Sequence, residues 1–390
     1  MTPPSDWILT VFACIPALLR MAWDLRLHAA WRTRQRPEAT TEGQHGKAVD
    51  RSASLILCVH NDLEALQGLW PLWRQQWFPE GWEIEWVVVD DGSEDGTREW
   101  LQGQMEASGP HLTVIHHDKR QAGKKAALTA GITSARHDRL VLTDADCRPG
   151  RNWAWSMASR LGAGTGPPHV LVGFSLPHGG PAWAAFDALR VAWQYGGQAA
   201  AGAAYMGVGR NLAYRKSDWL AVGGFSRHAD VTSGDDDLFV QDALRHGLKC
   251  APVAPRGPDA DCPTLPAASS LDAWRRKARH LSTARRYARP SLTTLAADAA
   301  LDPLVALMGA AGGAGLLHIG GWIPLMAAGL ALTVRSATLS SFARDLNQPL
   351  SVGIRAFWLG PVRWGLLGVA TLSSFTSSPT WTQRAPTKRS

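Results

Sequence analysis

Residues 54–59, SLILCV, and residues 84–89, IEWVVV, are short, unbroken apolar runs. Between them Leu63, Leu66, Leu69 and Leu72 recur at intervals of three, the spacing of one helical face. Residues 112–115 and 140–142 repeat the apolar theme. Strands alternating with helices predict βαβ units in a mainly parallel sheet covered on both faces. Ligands of such sheets lie beyond the carboxyl ends of the strands. After the first strand comes His60-Asn61-Asp62, after the second Asp90-Asp91-Gly92-Ser93, and after the fourth Thr143-Asp144-Ala145-Asp146.

Carboxylates at successive strand ends crowd one crevice, and like charges so placed repel unless a cation or hydrogen-bond donors intervene. The Asp144-Ala145-Asp146 triplet suits a hard divalent ion that also holds a diphosphate; its oxygen donors do not distinguish Mg²⁺ from Mn²⁺. Gly123-Lys124-Lys125 opens an expected helix, where N-terminal amides and a lysine favour an anion. A GxxxxGK[ST] loop is absent, and no GxGxxG follows a strand, which weighs against kinase, NTPase and dehydrogenase readings.

The chain of 390 residues is 45% hydrophobic and 19% charged, long enough for one large or two ordinary domains. Its mean hydropathy of -0.12 excludes a protein that is membrane throughout. Its five scattered cysteines form no CxxC pair, as expected of reduced thiols and not of a zinc site. Arg275, Arg276, Lys277, Arg279, Arg285, Arg286 and Arg289 face only Asp272 within residues 271–290, so this block holds nearly all of the +7 net charge. One short basic block favours phosphate groups or a membrane surface over nucleic acid.

Residues 7–19 are uncharged and mostly apolar, and the arginines follow instead of preceding them, which excludes a secretory signal peptide. With Arg20 snorkelling, the seventeen residues 7–23 would just cross a bilayer core of about 30 Å, the basic flank on the cytoplasmic side. Residues 303–334 lack Asp, Glu and Lys or Arg and would make a helix of about 48 Å. That length admits one tilted span or a hairpin broken near Gly320, Gly321 and Pro324, with Gly309 and Gly313 at GxxxG spacing. Residues 356–375, interrupted by Arg363, are a third candidate. The expected division is an anchor at 1–32, a linker at 33–53, a catalytic domain at 54–290 and a membrane region at 291–390.

In order and spacing these motifs resemble the membrane-bound branch of family 2 glycosyltransferases, which has the GT-A fold. Cys58-Val59-His60-Asn61-Asp62 stands where that family has Pro-x-x-Asn-Glu, and Asp90 to Ser93 matches its Asp-Asp-Gly-Ser turn, with Asp95 and Thr97 following. Gly209-Arg210-Asn211-Leu212-Ala213-Tyr214-Arg215 is similar to its Gly-x-Asn-x-Ala-Tyr-Arg element, and Gly223-Gly224-Phe225 to its Gly-Gly-Phe. Gly234-Asp235-Asp236-Asp237 resembles its acidic motif. Arg276-Lys277-Ala278-Arg279-His280 lies where processive members have Gln-x-x-Arg-Trp, with Arg276 and His280 replacing the Gln and Trp.

The resemblance implies an α/β Rossmann-like nucleotide-sugar-binding sheet with flanking transmembrane helices, in a multi-pass protein of the inner or plasma membrane with a cytoplasmic catalytic domain. It implies that Asp62, Asp90, Asp91, Lys124 and Asp144 bind the donor nucleotide and that Asp146 binds a divalent metal, Mg²⁺ or Mn²⁺. Asp236 becomes the catalytic base, with Asp235 or Asp237 as the alternatives one residue away. Asn211, Asp235, Arg276 and Arg279 fall on the acceptor and diphosphate side. The expected partners are a nucleotide-sugar donor, a glycan or lipid-linked acceptor and membrane lipid, with no nucleic acid. The expected reaction is an inverting, weakly processive sugar transfer; an inactive scaffold and a nucleotidyltransferase are the competing readings.

Overall fold

A computed structural model describes residues 4–35, 51–108, 111–119, 123–161, 168–314 and 322–355. In chain order the elements are α1 (Pro4–Arg34), β1 (Ser52–Val59), α2 (Leu63–Arg74), β2 (Glu83–Asp90), α3 (Thr97–Ser108), β3 (Leu112–His116), α4 (Lys125–Ser134) and β4 (Arg139–Asp144). There follow α5 (Trp153–Ala158), β5 (Val170–Val172), α6 (Ala182–Ala200), β6 (Leu212–Arg215), α7 (Lys216–Val222), α8 (Asp237–Arg245) and β7 (Cys250–Pro252). The last are α9 (Ser270–Ala284), α10 (Arg289–Gly313), α11 (Trp322–Asp345) and α12 (Leu350–Ile354). They form two compact units: the strands with α2 to α5, α7 and α8, and the helices α1, α6 and α9 to α12.

The sheet runs in the order β3-β2-β1-β4-β6-β5-β7. The four strands expected from the apolar runs are parallel to one another, and β6 enters antiparallel beside β4. Leu55, Leu57 and Val59 pack with Leu66, Leu69, Trp73 and Trp153 on one face, as the period of two along a strand requires. Register then gathers the strand ends. Val59 pairs with Asp90, Asp90 with His116, and Cys58 with Asp144, so the turns after β1, β2, β3 and β4 open at one edge. Because β6 is antiparallel and Leu212 pairs with Leu142, residues 209–211 arrive at that same edge.

In the helical unit α1, α10 and α11 are each long and apolar enough to cross a membrane. The run 303–334 is not one tilted helix. It is divided between α10 and α11, which continue beyond it into charged sequence and so reach 25 and 24 residues. Gly309 of α10 meets Ala328 of α11, where a Cβ would lie only 2.7 Å away, and Gly313 faces Leu325, so the two helices run antiparallel in close contact. Pro324 falls in the first turn of α11, where its missing N–H costs little. Gly320 and Gly321 and the candidate span 356–375 lie outside the described residues. The expected linker is entered at both ends by regular structure, α1 reaching Arg34 and β1 starting at Ser52, and residues 36–50 lie outside the described residues.

Arg20 does not snorkel. It is 2% exposed and joins a buried ionic cluster, donating to Asp24 on its own helix at 2.7 Å and to Asp298 of α10 at 2.7 Å. Arg190 of α6 donates to Asp298 at 2.7 Å and Asp302 at 3.2 Å, and Arg335 of α11 lies 3.0 Å from Asp302. Three arginines thus neutralise three aspartates among four helices, which explains how charged residues sit in otherwise apolar segments. Arg190→Leu alone should strand a buried carboxylate and lower the thermal midpoint in detergent by about 10 °C. The double change Arg190→Leu/Asp298→Leu, which removes a balanced pair, should recover more than half of that loss in the same melt.

Candidate active site

The turns after β1 and β2 are knitted together by their own polar side chains. Asn61 adopts a left-handed φ of 50°. Its backbone N–H donates to Ser93 Oγ at 3.0 Å, and its Oδ1 accepts the Glu94 N–H at 2.7 Å. Asp62 is the N-cap of α2 but makes no side-chain cap bond. The orphan Leu63 N–H is instead met by Asp95 Oδ2 at 2.9 Å, while Asp95 Oδ1 accepts the Thr97 hydroxyl at 2.6 Å. Burial works to raise the Asp95 pKa, but the bonds from Thr97 and Leu63 hold it below the ordinary carboxylate value.

The two aspartates of the second turn have different surroundings. Asp90, 1% exposed, accepts the Ser93 N–H at 3.0 Å and faces His116 Nδ1 at 3.3 Å, which ties it to the turn. Asp91 lies between His117 Nδ1, at 2.9 Å, and the Lys119 ammonium. His116, His117 and Lys119 were not singled out from the sequence. They follow β3 as Asp90 and Asp91 follow β2, so inspection of the third strand end alongside the other three finds them.

Across the crevice, Gly123-Lys124-Lys125 fastens the loop that carries the acidic motif. Gly123 has φ of 90°, and a Cβ there would lie 2.2 Å from the Thr232 carbonyl oxygen, so only glycine fits. Lys125 Nζ donates to the carbonyls of His228 and Val231 at 2.6 and 2.8 Å. Lys124 Nζ lies 3.0 Å from Asp144 Oδ1 and 2.9 Å from Asp235 Oδ2, joining β4 to the acidic loop. Burial disfavours its charge, but Asp144, Asp235 and Asp236 outweigh that and raise its pKa. Burial raises the Asp235 pKa, and the neighbouring Asp236 adds to this against the pull of Lys124.

Among the three consecutive aspartates only Asp236 stays partly exposed; Asp235 and Asp237 are 8% and 5% exposed. Asp236 is the N-cap of α8, its Oδ1 accepting the Asp237 N–H at 2.7 Å and its Oδ2 the Gly209 N–H at 2.9 Å. Asp144 and Asp146 are also partly exposed. Among the described residues no three His, Cys, Asp or Glu side chains form a ready-made cation cage. That donor set fits an ion of the Mg²⁺ kind, which takes one or two carboxylates and completes its shell with water and substrate phosphate.

Asn211, expected on the acceptor and diphosphate side, has its amide engaged internally. Its Nδ2 donates to the Phe174 carbonyl at 2.6 Å and its Oδ1 accepts Trp153 Nε1 at 2.9 Å, so it braces the segment before β6. Arg276 and Arg279 belong to α9 of the helical unit, where Arg276 pairs with Asp272 at 3.2 Å. The site gathered at the sheet edge is therefore Asp62, Asp90, Asp91, Lys124, Asp144, Asp146, Asp235 and Asp236.

His228, on the loop held by Lys125, is 4% exposed, and its Nε2 lies 3.5 Å from Asp242 Oδ2. Burial and the Lys125 charge push its pKa down to about 4. An unfolded histidine titrates near 6.5, so between about 6.5 and 4 the unfolded chain binds the extra proton and the fold loses stability as pH falls. Melts taken from pH 7 to pH 4.5 should show a falling midpoint, and His228→Gln should flatten that fall relative to the unaltered protein.

A family model described as Glycosyl transferase family 2 matches residues 54–174. The chain is 33% identical over 136 residues to the glycosyltransferase AglE of Haloferax volcanii, covering 34% of this chain and 43% of that protein. It is 32% identical over 93 residues to an undecaprenyl-phosphate 4-deoxy-4-formamido-L-arabinose transferase of Pseudomonas aeruginosa, covering 24% and 27%. The match thus spans less than half the length of these curated relatives. A structure of the mannosyltransferase PcManGT from Pyrobaculum calidifontis, in complex with GDP-Man and Mn²⁺, superimposes with a TM-score of 0.55 at 20% identity, over 94% of this chain and 98% of that one. With the parallel strands, the Asp-Asp-Gly-Ser turn and the Asp-Ala-Asp turn meeting at one sheet edge, residues 54–174 match the glycosyltransferase family 2 model, and the chain has the GT-A fold.

Proposed function

We propose that this protein transfers a sugar from a nucleotide-diphosphate sugar to a hydroxyl acceptor by direct displacement with inversion. The observation that carries this reading is the Lys124 bridge: it draws Asp144 and Asp235 to one point while Asp146 and Asp236 beside them stay partly exposed. Asp236, fixed by the Gly209 and Asp237 amides, is the base that takes the proton of the acceptor hydroxyl as its oxygen bonds to the anomeric carbon. Asp62 and Asp91 hold the nucleotide. Asp146, helped by Asp144, would hold a divalent ion, which would supply charge to neutralise the departing diphosphate.

The three apolar helices and the likeness to an undecaprenyl-phosphate transferase support a membrane-held enzyme whose acceptor is lipid-linked. The arginines that follow the first apolar segment support a multi-pass orientation with the sheet on the cytoplasmic side. Arg276 and His280, standing where processive relatives carry Gln and Trp, support limited processivity.

Detergent-purified protein given UDP-, GDP- and TDP-sugars, with and without Mg²⁺ or Mn²⁺, should release nucleoside diphosphate from one of them in a metal-dependent way. Asp236→Asn should lower that release by about 100-fold or more while leaving donor binding intact, and Asp146→Ala should abolish the response to metal. Unchanged turnover in Asp236→Asn would overturn the assignment of the base, and absence of binding to every donor would favour the inactive scaffold.

A further inference from the structure

Besides Lys124 and Lys125, the segment 209–211 brings a further cation, Arg210, to the edge where the carboxylates gather. The carboxylates acting on it are those of Asp146, Asp144 and Asp236, and they outweigh the burial that opposes its charge. Its backbone is fixed on every side. The preceding Gly209 N–H binds Asp236, the following Asn211 is braced against Phe174 and Trp153, and its own carbonyl accepts the thiols of Cys147 and Cys262, each at 3.7 Å. Its Nε–H is buried without a hydrogen-bond partner among the described residues, while the residue as a whole is partly exposed. A buried donor left unpaired is costly, and such groups at a ligand crevice are paired when the ligand arrives.

We propose that Arg210 is a binding residue for the β-phosphate of the donor, offering its planar fork of N–H groups beside Asp146 so that a diphosphate enters a crevice otherwise lined by carboxylates. Arginine suits this role because its fork matches two phosphate oxygens at once and its charge persists at any working pH. In the same position the guanidinium competes with the divalent ion for Asp146. Removal of Arg210 therefore weakens diphosphate binding in the absence of metal and strengthens binding of the metal itself. This inference rests on the nucleotide-sugar reading above.

The test is direct binding to the full-length protein, followed by titration calorimetry in EDTA, with UDP and GDP compared against UMP and GMP; Mn²⁺ affinity is read by electron paramagnetic resonance. Arg210→Gln should weaken binding of the diphosphates by roughly tenfold or more, leave the monophosphates within about twofold, and raise Mn²⁺ affinity. Arg210→Lys, which keeps the charge without the fork, should fall between the two and guards against a folding defect in the first variant. Equal diphosphate affinity in Arg210→Gln and the unaltered protein would overturn the proposal. An equal loss for monophosphates and diphosphates would also overturn it, since that is what a structural role produces. If the unaltered protein binds none of the four nucleotides, the nucleotide-sugar reading itself fails and takes this proposal with it.

Discussion

The ammonium group of Lys124 holds together two acidic motifs that are about ninety residues apart in the chain. Lying 3.0 Å from Asp144 and 2.9 Å from Asp235, it turns a repulsive arrangement of carboxylates into an attractive one. The geometry around it is prepared by its neighbours on both sides. Gly123 allows the Thr232 carbonyl to approach where any side chain would collide, and Lys125 anchors the loop through the carbonyls of His228 and Val231. Three consecutive residues at the start of α4 thus set the position of the acidic loop against β4. Asp236 is then left as the accessible carboxylate, held by two backbone amides at a helix start.

The helical unit solves a similar electrostatic problem among apolar helices. Arg20, Arg190 and Arg335 are matched to Asp24, Asp298 and Asp302, and each of the six pairs with a residue on another helix. Apolar packing between α10 and α11 is nondirectional, whereas ion pairs from α1, α6, α10 and α11 fix which faces meet. Both units therefore place paired charges where burial would otherwise expel them. In the sheet unit the pairing leaves carboxylates open to a ligand; in the helical unit it is closed on itself.

The sheet was legible because burial on both faces writes a parallel strand as an unbroken apolar run, and because turn chemistry at Asp90 to Thr97 is local. The strands β5 to β7 were harder to read. They have three or four residues each, too few for a period to appear, and β6 was visible only through the motif that contains it. The carboxylates of the site were likewise readable from their places after strands. Their partners were not, because His117 on Asp91, Lys125 on the acidic loop and Trp153 on Asn211 are contacts set by register and packing. Asn211 illustrates the difference: sequence marks the position, and only the fold reveals that its amide is already engaged. A charge-free run marks only part of each span, because the buried ion pairs put Asp298 and Asp302 inside α10 and Arg335 inside α11, which therefore extend past residues 303–334.

The most direct test of the Lys124 bridge is a double-mutant cycle on thermal unfolding with Lys124→Met, Asp235→Asn and the two combined. The account predicts a coupling of about 1–3 kcal/mol, with Lys124→Met alone costing most because it strands two carboxylates, and with Asp235→Asn recovering part of that loss in its background. Strictly additive effects of the two substitutions would contradict it, since they would mean that Lys124 does not join the two motifs.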